Sequence, residues 1–189
     1  MKANSNWDNI TASNGGKGIL PEGGYAVRID AVEDHTDEVK PYLALVYNPY
    51  LQDEGRFFYG ADAQDWQRTI KLYLTSDFGW QRYKMLVECI EQSEGNSGFR
   101  YDASRDGAEQ MLAGKWVGMV LRHRLYTGQR GKAAGKDRTA IDLQHITTVQ
   151  AIKEGDFPAP VTKDDRDPAA VAANAPVTAD ELAGFDLPF

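Results

Sequence analysis

The chain has 189 residues, 42% of them hydrophobic and 26% charged, a composition that suits one packed domain with an appendage. Its net charge of -7 argues against a protein that coats duplex DNA through uniform positive charge. The single cysteine, Cys89, excludes an internal disulfide framework and a cysteine-rich zinc site, so a reducing compartment, most simply the cytoplasm, is expected. No apolar stretch approaches the roughly 18 residues of a membrane span, so we expect no membrane association.

The N-terminal part of the chain predicts a loose arm followed by a β domain. Residues 1–20 are polar and glycine-rich and are expected to form a flexible arm, and residues 21–157 are expected to form the folded domain. Alternation from residue 25 predicts a first strand, with Tyr25, Val27, Ile29 and Ala31 on one face and Arg28 and Asp30 on the other. A dense apolar run over residues 42–47 predicts the second strand, and alternation over residues 70–74 predicts the third.

One main helix is expected after the third strand. Ser76 and Asp77 can cap it, and its apolar stripe has helical spacing, at Trp80, Tyr83, Val87 and Ile90. A short helix is expected near residues 108–112. Alternation over residues 116–126 and 139–146 then predicts strands four and five, which a glycine-rich hairpin joins.

The order of three strands, one helix and two strands is typical of the OB-fold, a small Greek-key barrel. We therefore predict a mainly β fold with α+β content: a five-stranded OB-fold-like barrel with one main helix between strands three and four. An open α+β sandwich with the helix on one face has the same element list, and the sequence leaves this alternative open.

The composition changes at residue 158 to alanine, proline, aspartate, valine and threonine. Residues 158–189 carry six acidic residues against Lys163 and Arg166, which predicts a disordered acidic tail. The last residues become apolar again, and a tail that only aids solubility does not need that. We therefore predict a tip that binds partner proteins, formed by Phe185, Asp186, Leu187, Pro188 and Phe189.

The acidic average hides a basic hairpin. Between residues 115 and 138 there are seven basic residues and one acidic residue, a local balance of +6. Alternation along strand four places Val117, Met119, Leu121, His123 and Leu125 on the core face. The opposite face then holds Trp116, Gly118, Val120, Arg122, Arg124 and Tyr126.

Two guanidinium groups between two aromatic rings suit single-stranded nucleic acid, because phosphates take the charge while unpaired bases stack on the rings. The predicted DNA-binding residues are Arg28, Lys71, Tyr73, Trp116, Arg122, Arg124, Tyr126, Arg130, Lys132, Lys136 and Arg138. A second interpretation is that the rings only pack and that Arg122 and Arg124 pair with acidic residues such as Asp142 or Glu154.

No catalytic constellation is evident in the sequence. The glycines and lysines of residues 131–137 lack the spacing and the Ser or Thr of a phosphate loop. His35, His123 and His145 are scattered, and Cys89 has no neighbouring histidine. We predict a protein that is not an enzyme and that uses no cofactor and no metal.

The tip Asp186-Leu187-Pro188-Phe189 resembles the C-terminus of bacterial and phage single-stranded DNA-binding proteins, which pair an OB-fold core with an acidic tail. In those proteins several acidic residues directly precede the last apolar residues. Here residues 182–185 separate Asp180 and Glu181 from Asp186, so there is less negative charge next to the tip. The core is similar to a family of tailed-phage proteins, at residues 20–25 (LPEGGY), 114–118 (GKWVG) and 151–157 (AIKEGDF). The resemblance implies a viral protein that works in the bacterial host cytoplasm.

The sequence therefore predicts sequence-independent binding and protection of single-stranded DNA during phage replication or recombination. The acidic tail is expected to recruit replication or recombination proteins and to compete with DNA for the basic groove. The alternative is an OB-like adaptor of a phage replication complex that binds protein and not DNA. RNA as the preferred strand and a homodimer paired through edge strands both remain open.

Overall fold

A computed structural model describes residues 18–129, 131 and 134–166 of the chain. The predicted arm as far as residue 17 lies outside the described residues, as do Arg130 and Lys132 of the hairpin and the predicted tip at residues 185–189.

Seven strands form one curled sheet that makes half of a barrel. They are β1 (Gly23–His35), β2 (Tyr42–Leu51), β3 (Arg56–Phe57), β4 (Thr69–Tyr73), β5 (Trp116–Thr127), β6 (Asp137–Thr147) and β7 (Lys163–Asp165). The strand order is β3-β2-β1-β5-β6, with β4 paired to β2 and β7 paired to β5. Every pair is antiparallel except β5 with β7, which is parallel.

Two α-helices and two 3₁₀ turns complete the described fold: α1 (Asp77–Gln92), α2 (Val149–Glu154), Asp65–Gln67 and Ala108–Leu112. The Ser76 hydroxyl caps α1 as predicted, because it accepts a hydrogen bond from the Gly79 backbone N–H. The helix then lies so close to the end of β4 that a Cβ on Gly79 would overlap the Tyr73 carbonyl oxygen. Glycine is therefore required where α1 joins the sheet.

The core lies inside the curl of the sheet, closed by α1 and by the 3₁₀ turn before β5. Its buried members come from every long strand, from α1 and from the 3₁₀ turn, and the fully buried ones include Val27, Ile29, Leu45, Leu86, Ile90, Leu112, Met119 and Leu121. A β-bulge between Ile29 and Ala31 reverses the side-chain alternation of β1, so Val32 is buried where the simple pattern predicted Ala31.

The mainly β class, the single main helix and the five predicted strands are confirmed. The predicted total of five strands is wrong, because the sheet contains two further strands, β3 and β7. These two are too short to show alternation. The predicted helix stripe is right at Val87 and Ile90 but wrong at Trp80, whose side chain is 53% exposed.

The first residues of the predicted tail contact the folded domain. Residues 158–166 lie against the domain, because both groups of the Gln144 side-chain amide bind their backbone: Nε2 donates to the Ala159 carbonyl at 2.9 Å, and Oε1 accepts from the Val161 N–H at 2.8 Å. The strand β7 then pairs with β5. These hydrogen bonds depend on residues distant in sequence, so composition alone missed them.

No helix in the described part of the chain is long and apolar enough to cross a membrane.

Candidate nucleic-acid interface

The predicted binding face of β5 is divided by α2, which the sequence did not predict. A Cβ on Gly118 would overlap the Thr148 carbonyl oxygen and lie 2.8 Å from Ile152 Cγ1, so α2 lies directly on this part of the face. Val120, two residues further along, is fully buried. Trp116 therefore lies on one side of α2, and Arg122, Arg124 and Tyr126 lie beyond it.

At the first end of β5, Trp116 is held by other rings. Its indole stacks on Phe57, with centroids 5.7 Å apart, and meets Tyr50 edge-on at 6.1 Å. The Asn96 side chain bonds both backbone groups of Trp116, at 2.9 Å to the N–H and 2.6 Å to the carbonyl. The indole and the backbone of Trp116 are therefore both fixed by neighbours.

Arg28 joins Trp116 as predicted, since the two residues are register partners across β1 and β5. Its guanidinium lies over the Phe57 ring, 4.4 Å from the centroid, and its Nε donates to Asp30 at 2.6 Å. The same aspartate also pairs with Arg68. The charge of Arg28 is thus already matched by a carboxylate.

At the other end of β5, one predicted arginine pairs with a carboxylate and the other contacts an aromatic ring. Arg122 pairs with Asp142 on β6 at 3.1 Å, which confirms the second interpretation for this residue. Arg124 lies over the ring of Tyr126, 5.3 Å from the centroid, and makes no ion pair within the described residues. Its Nε is buried without a hydrogen-bond partner.

Two more predicted cations, Lys136 and Arg138, lie on the hairpin arm opposite Tyr126. Arg138 is the register partner of Tyr126, and both cations are exposed and free of ion pairs among the residues that the structure describes. Arg124, Lys136 and Arg138 therefore form a cationic rim whose charge no described carboxylate neutralises.

Tyr126 also lines an open groove of about 890 Å³ between this rim and the connection from β3 to β4. Phe58, Tyr59 and Trp66 line it from the connection, and Ala140 lines it from β6. The Trp66 side chain is 78% exposed, although it is the largest ring on the wall. The connection from β3 to β4 and the predicted basic hairpin thus line the same groove.

The groove floor is rigid. Asn48 binds both backbone groups of Tyr59, each at 3.0 Å, and so fixes the connection to β2. The Tyr59 ring meets the buried Tyr47 ring edge-on at 6.1 Å. Burial raises the pKa of both phenols, so both stay neutral at physiological pH. Among the described residues of the lining, Asp62 alone is charged.

The outer face of β4 continues from the groove. Thr69 lines the groove, and alternation places Lys71 and Tyr73 on the same face. Lys71 Nζ lies 4.2 Å above the centroid of Tyr42, and the Tyr73 ring lies 5.6 Å from that of Tyr42. The predicted residues Lys71 and Tyr73 therefore lie on one face, and both contact the Tyr42 ring of β2.

Sequence reasoning missed several residues of this surface. The sequence predicts only that Tyr42 belongs to a strand, and it assigns no role to Tyr59 or Trp66. His35, which stacks on Tyr42 at 4.5 Å, was read only as a scattered histidine. The strand alternation could have placed Tyr42 outside the core, but no local signal shows that Trp66 lines the same groove as Tyr126.

Residues 158–166 border the rim on its other side. The strand β7 pairs with β5 through Arg124, Leu125 and Tyr126. The Glu22 carboxylate accepts hydrogen bonds from the His123 N–H at 2.6 Å and from the Thr162 hydroxyl at 2.8 Å. We call residues 158–166 the strap.

No group of three or more potential metal ligands occurs in the part of the chain that the structure describes. Compared with known proteins, the chain matches no family model and no curated sequence. The resemblance to single-stranded DNA-binding proteins therefore stays a prediction from the residues quoted for it.

Proposed function

We propose that the protein binds single-stranded DNA without sequence preference. One observation carries the proposal: the exposed Trp66 and the hairpin residue Tyr126 line one open groove beside Arg124, a cation with no ion pair among the described residues. Rings and unpaired cations in this arrangement are what a flexible, unpaired strand can use and a closed duplex cannot.

Bases enter the groove and phosphates follow the rim. The groove lining holds aromatic and polar side chains and a single carboxylate, which favours stacked bases over phosphate. Each stacked base contributes about 1–3 kcal/mol, and every base has a face that can stack. Binding of this kind does not depend on the base sequence of the strand.

The phosphates contact Arg124, Lys136 and Arg138, and each contact releases counterions on binding. The predicted hairpin residues Arg130 and Lys132 lie outside the described residues and add charge at the same place in the sequence. Arg122 and Arg28, which already face carboxylates, contribute less.

The curled sheet belongs, in this proposal, to the OB-fold class. The strands β1, β2, β4, β5 and β6 with α1 between β4 and β5 reproduce its element order. OB-folds bind oligonucleotides across the face of their second and third strands and the neighbouring loops. Those strands correspond to β2 and β4, so Tyr42, Lys71 and Tyr73 extend the path of the bound strand.

The biological setting rests on the resemblance alone. We propose a phage protein in the bacterial cytoplasm that protects single strands during replication or recombination. Its C-terminal tip recruits other proteins of that process, because a terminal Phe and its carboxylate suit an apolar pocket with a basic rim.

The test is a fluorescence titration of the intact protein with a poly-dT oligonucleotide of about 30 nucleotides, long enough to cover one to several OB-fold sites, beside the matching duplex. We expect tryptophan quenching by the single strand, a weak response to duplex and weaker binding as salt rises. A matched RNA oligonucleotide measures the preference for DNA. No binding of the single strand at low salt would reject the proposal and favour the adaptor.

A further inference from the structure

The first described residues form part of the groove wall. Gly18, Ile19 and Leu20 line the same groove as Trp66. Leu20 is fully buried, and its carbonyl lies 2.8 Å from Nε2 of His123 on β5. The chain that precedes Gly18 therefore starts at a fixed point on the groove wall.

That preceding segment, residues 1–17, has a composition that fits the groove. Beyond Met1 its large apolar residues are Trp7 and Ile10, surrounded by asparagine, serine, threonine and glycine. Its side chains carry Lys2 and Lys17 against Asp8, a balance of +1. Most of the lining that the structure describes is aromatic, apolar or uncharged polar, which suits a tryptophan ring and its small polar neighbours.

The distances allow the segment to return to the groove. The 11 residues from Trp7 to Lys17 can span at most about 35–40 Å. They are attached at Gly18, which itself lines the groove, so the tether allows Trp7 to fold back onto it. A covalently tethered group has an effective concentration in the millimolar range for a short linker. A tryptophan ring buries about 150–250 Å² on docking, and the exposed Trp66 offers it an apolar wall.

We propose that residues 1–17 occupy the groove of the free protein, with the Trp7 ring inserted beside Trp66 and Tyr126. The occupant is thus a segment of the chain itself. Its role as a competitor of DNA rests on the function proposed above, whereas the docking does not. A bound single strand must displace Trp7 before a base can stack on Trp66.

The docking is tested without DNA by ¹⁹F NMR of the full chain labelled with 5-fluorotryptophan. The variant Trp7→Phe assigns the Trp7 resonance among the four tryptophans. We expect the ¹⁹F chemical shift of Trp7 to differ from its value in the unfolded protein. The variant Thr139→Phe adds a ring at an exposed position of the groove wall, where it should displace Trp7. The Trp7 chemical shift should then move toward its unfolded value. A Trp7 resonance at the unfolded value in both proteins would overturn the inference.

The competition is tested with a poly-dT oligonucleotide. Trp7→Ala should bind it several-fold more tightly than the wild-type protein, whereas the matched arm variant Thr11→Ala should bind as the wild type does. Unchanged or weaker binding by Trp7→Ala would overturn the competition. If neither protein binds DNA, the proposed function fails, and the NMR result still decides whether the segment docks.

Discussion

The two ends of β5 carry similar pairs of side chains and differ in what surrounds those pairs. Each end has an aromatic ring beside an arginine on the outer face: Trp116 beside Arg28 of the neighbouring strand β1, and Tyr126 beside Arg124 of β5 itself. At the first end the ring is stacked and the arginine is paired with a carboxylate. At the second end the ring faces an open groove, and the arginine has no ion pair within the described residues.

The difference teaches that a ring and a cation side by side on a sheet face do not by themselves make a binding site. Residues distant in sequence decide whether the pair is already occupied. Phe57, Asn96 and Asp30 occupy the Trp116 end, and α2 separates it from the other end. We call these the closed end and the open end of β5.

The largest expected effect comes from the helix that separates the two ends. Gly118→Ala places a methyl group against Thr148 and Ile152, so we expect the free energy of unfolding to fall by about 1–3 kcal/mol, as in other overpacked sites. Urea denaturation measures it. Gly18→Ala is the control, because no atom lies within 4 Å of the added carbon. Equal stability of the two variants would show that α2 does not cover β5.

The second prediction compares a ring from each end. Tyr126→Ala should weaken binding of poly-dT about tenfold, since about 1–3 kcal/mol of stacking is lost. Trp116→Phe keeps an aromatic ring at the closed end and should change affinity less than about twofold, since no base stacks there. Fluorescence anisotropy of a labelled oligonucleotide measures both. Equal losses would mean that the closed end binds DNA as well.

The third prediction compares the paired and the unpaired arginine. Arg124→Gln should reduce the slope of log affinity against log salt by about 0.7, the value for one phosphate contact on a single strand. Arg122→Gln removes a charge that Asp142 already neutralises, so its slope should match that of the wild type. A greater change of slope for Arg122→Gln would reverse the assignment of the two arginines.

The smallest expected effect concerns the strap beside the open end. Hydrogen bonds from the His123 N–H and then from Thr162 hold the pKa of Glu22 below its ordinary value of 4.5. Hydrogen bonds from Arg166 lower the pKa of Asp164 from 3.8 to about 2. Both carboxylates therefore stabilise the strap above their ordinary pKa values, and that contribution is lost as the pH falls through their lower folded values.

Hydrogen exchange measures this effect. The amides of residues 163–165 should lose protection as the pH falls from 4.5 to about 2, before the core amides of β1 do. In Glu22→Gln the strap should already be less protected at neutral pH. Protection that stays constant relative to the core down to pH 2 would contradict a strap held by these carboxylates.

Much of the fold could be predicted because its signals are local. Strand alternation found β1, β4, β5 and β6, a dense apolar run found β2, and the Ser76 cap located the start of α1. The strands β3 and β7 are only two and three residues long, too short to show a period. The strap could not be predicted because Gln144 and Glu22, far from it in sequence, hold it in place.

The candidate site could be predicted only in part. Local charge identified the basic hairpin, and alternation placed Arg124 and Tyr126 on its outer face. The same alternation placed Trp116 on that face, but it carried no information on Phe57 or α2. Trp66 and Tyr59 line the same groove as Tyr126, and the position of Tyr59 depends on Asn48 holding the connection to β2.

The most direct test of the central claim is photo-crosslinking of the intact protein to an oligonucleotide that carries 5-iodouracil, followed by mapping of the linked peptides. The account predicts crosslinks at Trp66 and Tyr126, with Tyr73 or Tyr42 next along the path, and none at Trp116. Crosslinks confined to Trp116 and Phe57, or none above those of an oligonucleotide without iodouracil, would contradict it.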